Sequence, residues 1–590
     1  MPPVWTAAQA AAINIRGCDL LVSAAAGSGK TAALTERIIR AITREDNPLD
    51  ITRILAVTFT RAAAAELRRR ISQALSEHLL AEPGNTRLVG QLMLLGSAKI
   101  CTIDAFYNEI VKTYFQRTNL PAGYRIADDA ELTLLQKAVM ESLINRSFAA
   151  GGTFPVLADN FTGNRDDRQL ADFFIGLYEN IRVFPEGVGF LSTYAEILKN
   201  EAGLGFFHTR AGRVLSDRLC EELECYLWIF NTALANFMDD AAWKAAYSEG
   251  YTADRDHILA LLEAIRSCDY DTARETALSY SPKKLKTLRN KTPEIERFYS
   301  QRNKIKYRLM EIAARYFSRP GSTIPDTFKK TAEVCLGLYD FLSQYEKELR
   351  EEKLSRGICD FEDIRRITLE LLVDQNGQPT DIAREYACRF DEILIDEYQD
   401  VDRVQDMIFR ALSTCCNRFM VGDIKQSIYS FRGAEPSLFS GYRARYKIWN
   451  AGRRYKPEPA GLSVFMSNNF RCDENIINFV NLVCLRIFPA CASLGYVPED
   501  NLIFSKKTPA GYRQPPVVVT LIHKGSAEDS GKDAGDSAPG ASDNEAMLGQ
   551  PELRYIAGEI SRLLREEKNA DGSPVKPGDI AVLCRKRDTC

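Results

Sequence analysis

Apolar residues along this chain follow two rhythms. Short uninterrupted apolar runs occur at Leu20–Ser23, Ile54–Phe59, Lys99–Thr102, Ile393–Ile395 and Phe419–Gly422. Each is bounded by turn-forming residues or followed by apolar positions at helical spacing, such as Leu34, Ile38 and Ile42 after the first. Strands of a parallel sheet read this way because helices cover both faces, so neither face needs to be polar. Between about 114 and 352 the rhythm changes. Leu132, Leu135 and Val139, or Leu259, Leu262 and Ile265, recur at three- and four-residue intervals, which predicts a long helical segment inserted between the two strand clusters. A break after Ala451 leads into a further αβ-like region, with a helix expected over Leu553–Glu566 and a strand over Asp579–Leu583. Within it, 525–550 is rich in Gly, Ser, Asp and Ala and reads as a linker. The pattern divides the chain into 1–115 plus 353–455 as one α/β domain, 116–352 as helical, and 456–590 as part of a second α/β domain.

Bulk properties narrow the class. A chain of 590 residues, 45% hydrophobic and 26% charged, is expected to fold as about three packed units. Apolar runs such as Leu20–Ala26 fall far short of the roughly 20 residues that span a bilayer. The start, Met1-Pro2-Pro3-Val4-Trp5, lacks the basic and apolar pattern of a secretory signal. A cytoplasmic protein without membrane contact is therefore expected. The 15 cysteines include no C-x-x-C spacing, and with only four histidines free thiols are expected rather than a zinc site. The net charge of −3 conceals a basic, aromatic-interleaved stretch, Lys283–Arg308. It suits either phosphate tracking or a solvated helical face.

Two motifs carry chemistry. Ala24-Ala25-Ala26-Gly27-Ser28-Gly29-Lys30-Thr31 follows the first strand and precedes a helical pattern, the context of a phosphate-binding loop. Gly27 and Gly29 let backbone N–H groups turn toward a phosphate, aided by the positive end of the next helix. Lys30 would neutralise phosphate oxygens and the Thr31 hydroxyl would ligate Mg²⁺. Ala24 stands where the general pattern has glycine. Asp396 and Glu397 follow the strand Ile393–Ile395, at the strand end where open α/β sheets bind ligands. There Asp396 would hold Mg²⁺ and Glu397 would polarise the attacking water.

The run Ile395-Asp-Glu-Tyr-Gln-Asp400, with the glycine loop upstream, resembles the superfamily-one helicases of the UvrD/Rep group. Four further segments match that group in order: Trp5–Gln9, Val57-Thr-Phe-Thr-Arg-Ala-Ala-Ala-Ala-Glu66, Phe419–Pro436 and Asn469-Phe-Arg471. Ala24–Ala26, the Ala62–Ala65 run, the segment Gly422–Arg432 with Lys425, and Asp360-Phe361-Glu362-Asp363 are similar to AddA-type helicase–nuclease subunits. The resemblance covers most of 1–120 and 355–485. The helical segment matches only in length and character.

The resemblance implies a RecA-like P-loop motor domain, an inserted helical domain and the start of a second RecA-like domain. It implies ATP and Mg²⁺ as cofactors, with ATP-driven 3′–5′ translocation on single-stranded or duplex-end DNA in break repair. An AddB-like nuclease subunit is the implied partner. Gln9 would read the adenine and Phe470 stack on it, Gln426 would sense the γ-phosphate, and Arg471 would act as an arginine finger, a device giving about 10³–10⁵ in rate elsewhere. Phe59, Thr60, Thr102, Phe106, Tyr429, Phe431 and Arg432 would contact DNA. Asp104 stands where many relatives carry His. Nothing after Arg471 resembles the last motor motifs or a nuclease signature, so the chain is expected to be partial, binding Mg-ATP with weak turnover and no unwinding. A stand-alone UvrD/Rep-type repair helicase and a non-catalytic DNA-end-binding subunit with a relic ATP site remain as alternatives. A P-loop kinase or GTPase would have no use for Gln9 or the D-E-Y-Q-D strand.

Overall fold

Every strand expected in the two clusters forms, and together they build one sheet. The strands among the described residues are β1 Leu20–Ala24, β2 Ile54–Thr58, β3 Lys99–Thr102, β4 Arg125–Ile126, β5 Ile358–Cys359, β6 Glu392–Ile395, β7 Arg418–Gly422, β8 Lys447–Ile448, β9 Leu462–Met466, β10 Asn468–Asn469 and β11 Ile503–Phe504. Seven of them join in the order β3-β2-β6-β7-β1-β9-β8. The pairing is parallel: Val57 faces Ile395, Ile395 faces Met420, and Ser23 faces Gly422. All residues of β1, β2, β6 and β7 are buried, which is why their sequences show no apolar–polar alternation. The computed structural model describes residues 4–161, 167–288, 291–414, 416–452, 461–488, 495–508, 516–522, 551–569 and 572–584.

Helices follow the strands and cover the sheet: Lys30–Thr43 after β1, Arg61–Ala81 after β2, Ile103–Thr113 after β3, Arg403–Ala411 after β6 and Pro436–Arg445 after β7. Phe106, Tyr107 and Ile110 of the third pack with Ile364, Ile393, Tyr398 and Phe409 in the main core. Since the strands run in parallel, their C-terminal residues Ser23, Thr58, Thr102, Ile395 and Gly422 share one edge of the sheet. The segments that follow those residues are the ones singled out above for chemistry.

The middle segment is helical from Asp129–Ala150 through Ile324–Ser355, as its periodicity predicts. Its apolar residues form two cores, one around Phe154, Phe174, Phe341 and Tyr345, the other around Phe207, Phe230, Trp243 and Tyr251. The chain enters and leaves it through a two-strand parallel clasp, with Arg125 facing Ile358 and Ile126 facing Cys359. One detail of the expected stripe is wrong. Leu259 is exposed, and the helix Glu249–Arg266 buries Ile258, Leu261, Leu262 and Ile265 instead. Among the described residues, no helix is long and apolar enough to cross a membrane.

The chain forms two compact units, one of Met1–Ser23, Thr31–Phe465 and Phe488–Tyr496, the other of Ala24–Lys30, Met466–Ile487 and Val497–Cys590. In the second, β10 and β11 pair in parallel, with Asn468 facing Ile503, and Ala25, Ile477 and Leu502 make a small core. The helix expected near 553 forms as Pro551–Glu566. The strand expected over Asp579–Leu583 does not. A short 3-10 turn, Pro577–Asp579, precedes extended chain with no pairing strand among the described residues. The linker at 525–550 and most of the break after Ala451 lie outside the described residues.

The basic stretch Lys283–Arg308 proves largely structural. Arg302 lies buried with Nε 2.7 Å from the Asp254 carboxylate, while Lys283 pairs with Glu249 at 2.7 Å and Arg308 with Glu222 at 2.7 Å. Burial pushes the Asp254 carboxyl up, against the pull of Arg302. Arg302→Met would leave that carboxylate buried alone and is expected to destabilise the protein by about 3–5 kcal/mol in denaturant melts. Lys304→Ala on the exposed face of the same helix is expected to stay within about 0.5 kcal/mol.

Candidate functional site

The glycine loop is held by backbone geometry and by one asparagine. Gly27 and Gly29 adopt φ of 70° and 81°, left-handed values that favour glycine. Ser28 N donates to Ala25 O at 3.0 Å, closing the loop on itself. From β10, Asn469 Nδ2 donates to Ala26 O at 2.7 Å, and Phe470 N donates to Gly27 O at 2.9 Å. Asn469 Oδ1 in turn accepts from Arg471 N at 2.9 Å and Cys472 N at 2.8 Å. A Cβ on Gly27 would lie 2.9 Å from both Arg471 Cβ and Asn469 Nδ2. Gly27, Phe470 and Arg471 are thus brought together within one compact unit. Lys30 opens the helix Lys30–Thr43, at the end where the helix dipole favours an anion. Thr31 O accepts from the Thr35 hydroxyl at 2.9 Å.

The acidic turn after β6 is held equally firmly. Asp396 N donates to Val57 O at 3.1 Å, and Asp396 Oδ1 accepts from Glu397 N at 2.9 Å. Glu397 sits at φ 51°, ψ 44°, a left-handed conformation costing a non-glycine residue about 1–3 kcal/mol and sustained only by its surroundings. Gln399 supplies them. Its Nε2 donates to Glu397 Oε2 at 3.0 Å and Asp400 Oδ2 at 3.1 Å, while its Oε1 accepts from Asp423 N at 2.9 Å. Asp423, almost fully buried, then accepts from Gln426 Nε2 at 2.8 Å and pairs with Lys425 Nζ at 2.9 Å. A continuous polar chain therefore runs from Glu397 through Gln399 and Asp423 to Gln426. Sequence reasoning assigns no role to Gln399 or Asp423. The signal available for them is the shared placement of a carboxamide and a carboxylate in D-E-Y-Q-D and G-D-I-K-Q, just past two strand ends.

Three residues beyond Gln426, the chain displays Tyr429, Phe431 and Arg432 together. The two rings lie 6.0 Å apart, and the Arg432 guanidinium is 5.5 Å from one and 5.7 Å from the other. Phe431 is 76% exposed, so this cluster offers an open aromatic face with a cation beside it. Thr60 and Thr102, at the ends of β2 and β3, accept from Ala63 N and Ala105 N and cap the helices that follow. Phe59 is half-buried against the main core. Phe106 corrects the expectation of a DNA contact. It is fully buried, packed edge-on against Tyr386 and Phe390 at 6.3 and 6.1 Å, so no base can reach its ring. The Gln9 amide oxygen accepts from Thr6 N at 2.9 Å in the cap of its own helix.

A parallel sheet with a glycine loop at one strand end and a carboxylate turn at another defines a P-loop nucleotide-binding fold. Residues 5–447 match the model of the UvrD/REP helicase N-terminal domain, and the chain belongs to that family. Curated relatives named as AddA-type ATP-dependent helicase/nuclease subunits include those of Pelotomaculum thermopropionicum, 32% identical over 98% of this chain and 48% of the relative, and of Acetivibrio thermocellus, 32% identical over 96% and 47%. That of Bacillus velezensis is 32% identical over 99% of this chain and 47% of its own length. The chain spans about half the length of these relatives.

The packing at Gly422 yields a direct test. A Cβ there would stand 2.3 Å from Gln399 Oε1. Gly422→Ala is expected to displace the Gln399 amide and lower stability by about 1–3 kcal/mol, read as a shift of the urea midpoint.

Proposed function

We propose that this chain is the motor portion of an AddA-like helicase–nuclease, using ATP to move 3′ to 5′ along single-stranded DNA entered from a duplex end. The observation that carries the reading is the polar chain Glu397–Gln399–Asp423–Gln426, which ends three residues before the exposed Tyr429–Phe431–Arg432 cluster. Chemistry at one end and base stacking at the other are what a translocating motor has to connect. Residues 1–115 with 353–455 serve as a RecA-like ATPase domain, 116–352 as the inserted helical domain, and 456–590 as part of a second RecA-like domain.

In this reading the glycine loop Ala24–Gly29 cradles phosphates through its backbone, and Lys30 neutralises their charge. Thr31 and Asp396 offer the hard oxygen donors that suit Mg²⁺, an ion that bridges phosphate oxygens and retains several waters. Glu397 orients and deprotonates the attacking water. Gln426 reports the γ-phosphate toward the aromatic cluster, and Arg471 supplies positive charge to the transition state. Gln9 reads the adenine edge and Phe470 covers its face. Bases stack on Tyr429 and Phe431, with Arg432 beside them and Phe59, Thr60 and Thr102 along the same sheet edge. Stacking of this kind tolerates any base. The names of the relatives support a nuclease function in the complete protein, an AddB-like partner, and a place in double-strand-break repair in the cytoplasm.

Glu397→Gln is expected to keep nucleotide affinity and cut DNA-stimulated ATP hydrolysis by about 10²–10⁴, measured as phosphate release beside equilibrium binding of a fluorescent ATP analogue. Turnover within a few-fold of wild type would remove Glu397 as the base. Phe431→Ala is expected to weaken single-stranded DNA binding by about 1–3 kcal/mol without base preference, read by fluorescence anisotropy on homopolymers.

A further inference from the structure

The helical segment touches the acidic turn through one arginine. Arg365, buried on the helix Phe361–Leu372, places NH1 2.5 Å from Asp402 Oδ2, Nε 2.9 Å from Glu362 Oε1, and NH2 3.3 Å from the carbonyl of Val183. These three anchors belong to three segments. Glu362 is on its own helix. Asp402 caps the helix Arg403–Ala411, two residues past the D-E-Y-Q-D turn, through Gln405 N at 2.9 Å. Val183 lies in the loop 182–187 that leaves the helix Asp167–Ile181. Next to it, Arg366 donates to the carbonyls of Pro185 at 2.5 Å and Phe184 at 3.2 Å. Gly187, at φ 55°, leaves room for that guanidinium, since a Cβ would lie 2.3 Å from it.

The same loop reaches the aromatic cluster. Val183 Cβ lies 3.5 Å from where a Cβ on Gly433 would stand, and Gly433 N closes the Ser430–Arg432 turn by donating to Ser430 O at 3.0 Å. The start of the loop is fixed by buried charge. Arg182 bonds Asp360 at 2.9 Å, and Lys353 holds Asp360 at 2.7 Å and Asp363 at 2.9 Å. Burial alone would raise the Asp360 carboxyl, yet Arg182 and Lys353 outweigh it and hold it well below the usual range. Burial does raise the Asp402 carboxyl, so its charge depends on Arg365.

A guanidinium suits this post because its planar fork bonds several partners in fixed directions, which a lysine ammonium cannot reproduce. We infer that Arg365 is a positioning residue for ATP turnover: tied to the loop 182–187, it holds Asp402 and through it the left-handed turn at Glu397, so that the catalytic geometry depends on how the helical segment is docked. The inference rests on the assignment of Glu397 above. A misplacement near 1 Å at a reacting group can cost about 10²-fold, so small movements of this loop suffice.

The test uses Arg365→Lys, which keeps the charge and loses the fork, and Gly187→Ala, which displaces Arg366 without touching Arg365. In the full-length protein, both are expected to keep an unchanged near-ultraviolet circular dichroism spectrum and ATP affinity within about twofold, while DNA-stimulated kcat falls about tenfold or more. If kcat stays within about twofold of wild type, or falls only in step with folded fraction and nucleotide affinity, the inference is overturned. Glu397→Gln measured alongside separates the two levels. Turnover surviving in that variant overturns the site assignment and this inference with it. Turnover lost there but unchanged in the other two overturns the role of Arg365 alone.

Discussion

The Gln399 carboxamide is the point on which the described site turns. Its two ends face different strand ends: Nε2 donates back to Glu397 and Asp400 after β6, and Oε1 accepts from Asp423 N after β7. A carboxylate in that place would repel Glu397 and Asp400, and an apolar side chain would leave the buried Asp423 N–H without its acceptor. Only a group that donates at one end and accepts at the other fits. The absence of a Cβ at Gly422 lets it approach. The strained backbone at Glu397 is sustained by these bonds, and Gln426 is oriented by the Asp423 they help to fix. A motor whose two functional ends lie a few residues apart needs such a rigid element, because slack between them would uncouple hydrolysis from movement.

Much of the fold was legible because the sheet is buried on both faces. β1, β2, β3, β6 and β7 announce themselves as continuous apolar runs, and each falls within a residue or two of its expected bounds. The short strands β4, β5, β8, β10 and β11 were not legible, since two residues carry no periodicity. Leu259 misleads because three- and four-residue spacing fits two neighbouring stripes of one helix, and tertiary packing selects the stripe through Ile258, Leu261 and Ile265. Asp579–Leu583 has a strand's composition, but a strand forms only where a partner edge accepts its hydrogen bonds.

The site was legible where chemistry and local geometry coincide. Gly27 and Gly29 need left-handed backbone whatever they bind, and the structure gives it to them. Phe106 shows the opposite case. A motif fixes which residue stands at a position but not which way the ring points. On the helix Ile103–Thr113, Phe106 falls on the stripe of Ile103, Tyr107 and Ile110 that the core requires. The burial of that helix overrides any surface role. Asn469 is another residue whose part only three dimensions disclose: its amide ties the glycine loop to the segment bearing Arg471.

The helical segment raises a different question, since it is held by buried charge where apolar residues would serve stability as well. Arg302 with Asp254, Arg182 and Lys353 with Asp360, and Arg365 with Asp402 are all nearly buried pairs. Apolar contacts are non-directional and tolerate sliding by fractions of an ångström. A forked guanidinium with two or three fixed acceptors tolerates much less. The distribution of these pairs follows that distinction. Arg302 aligns helices inside the segment, while Arg182, Lys353 and Arg365 lie where the segment meets the sheet-side helix Phe361–Leu372 and the turn beyond β6. Directional contacts are therefore concentrated where an error in docking would be transmitted to Glu397, and the aromatic cores fill the places where it would not.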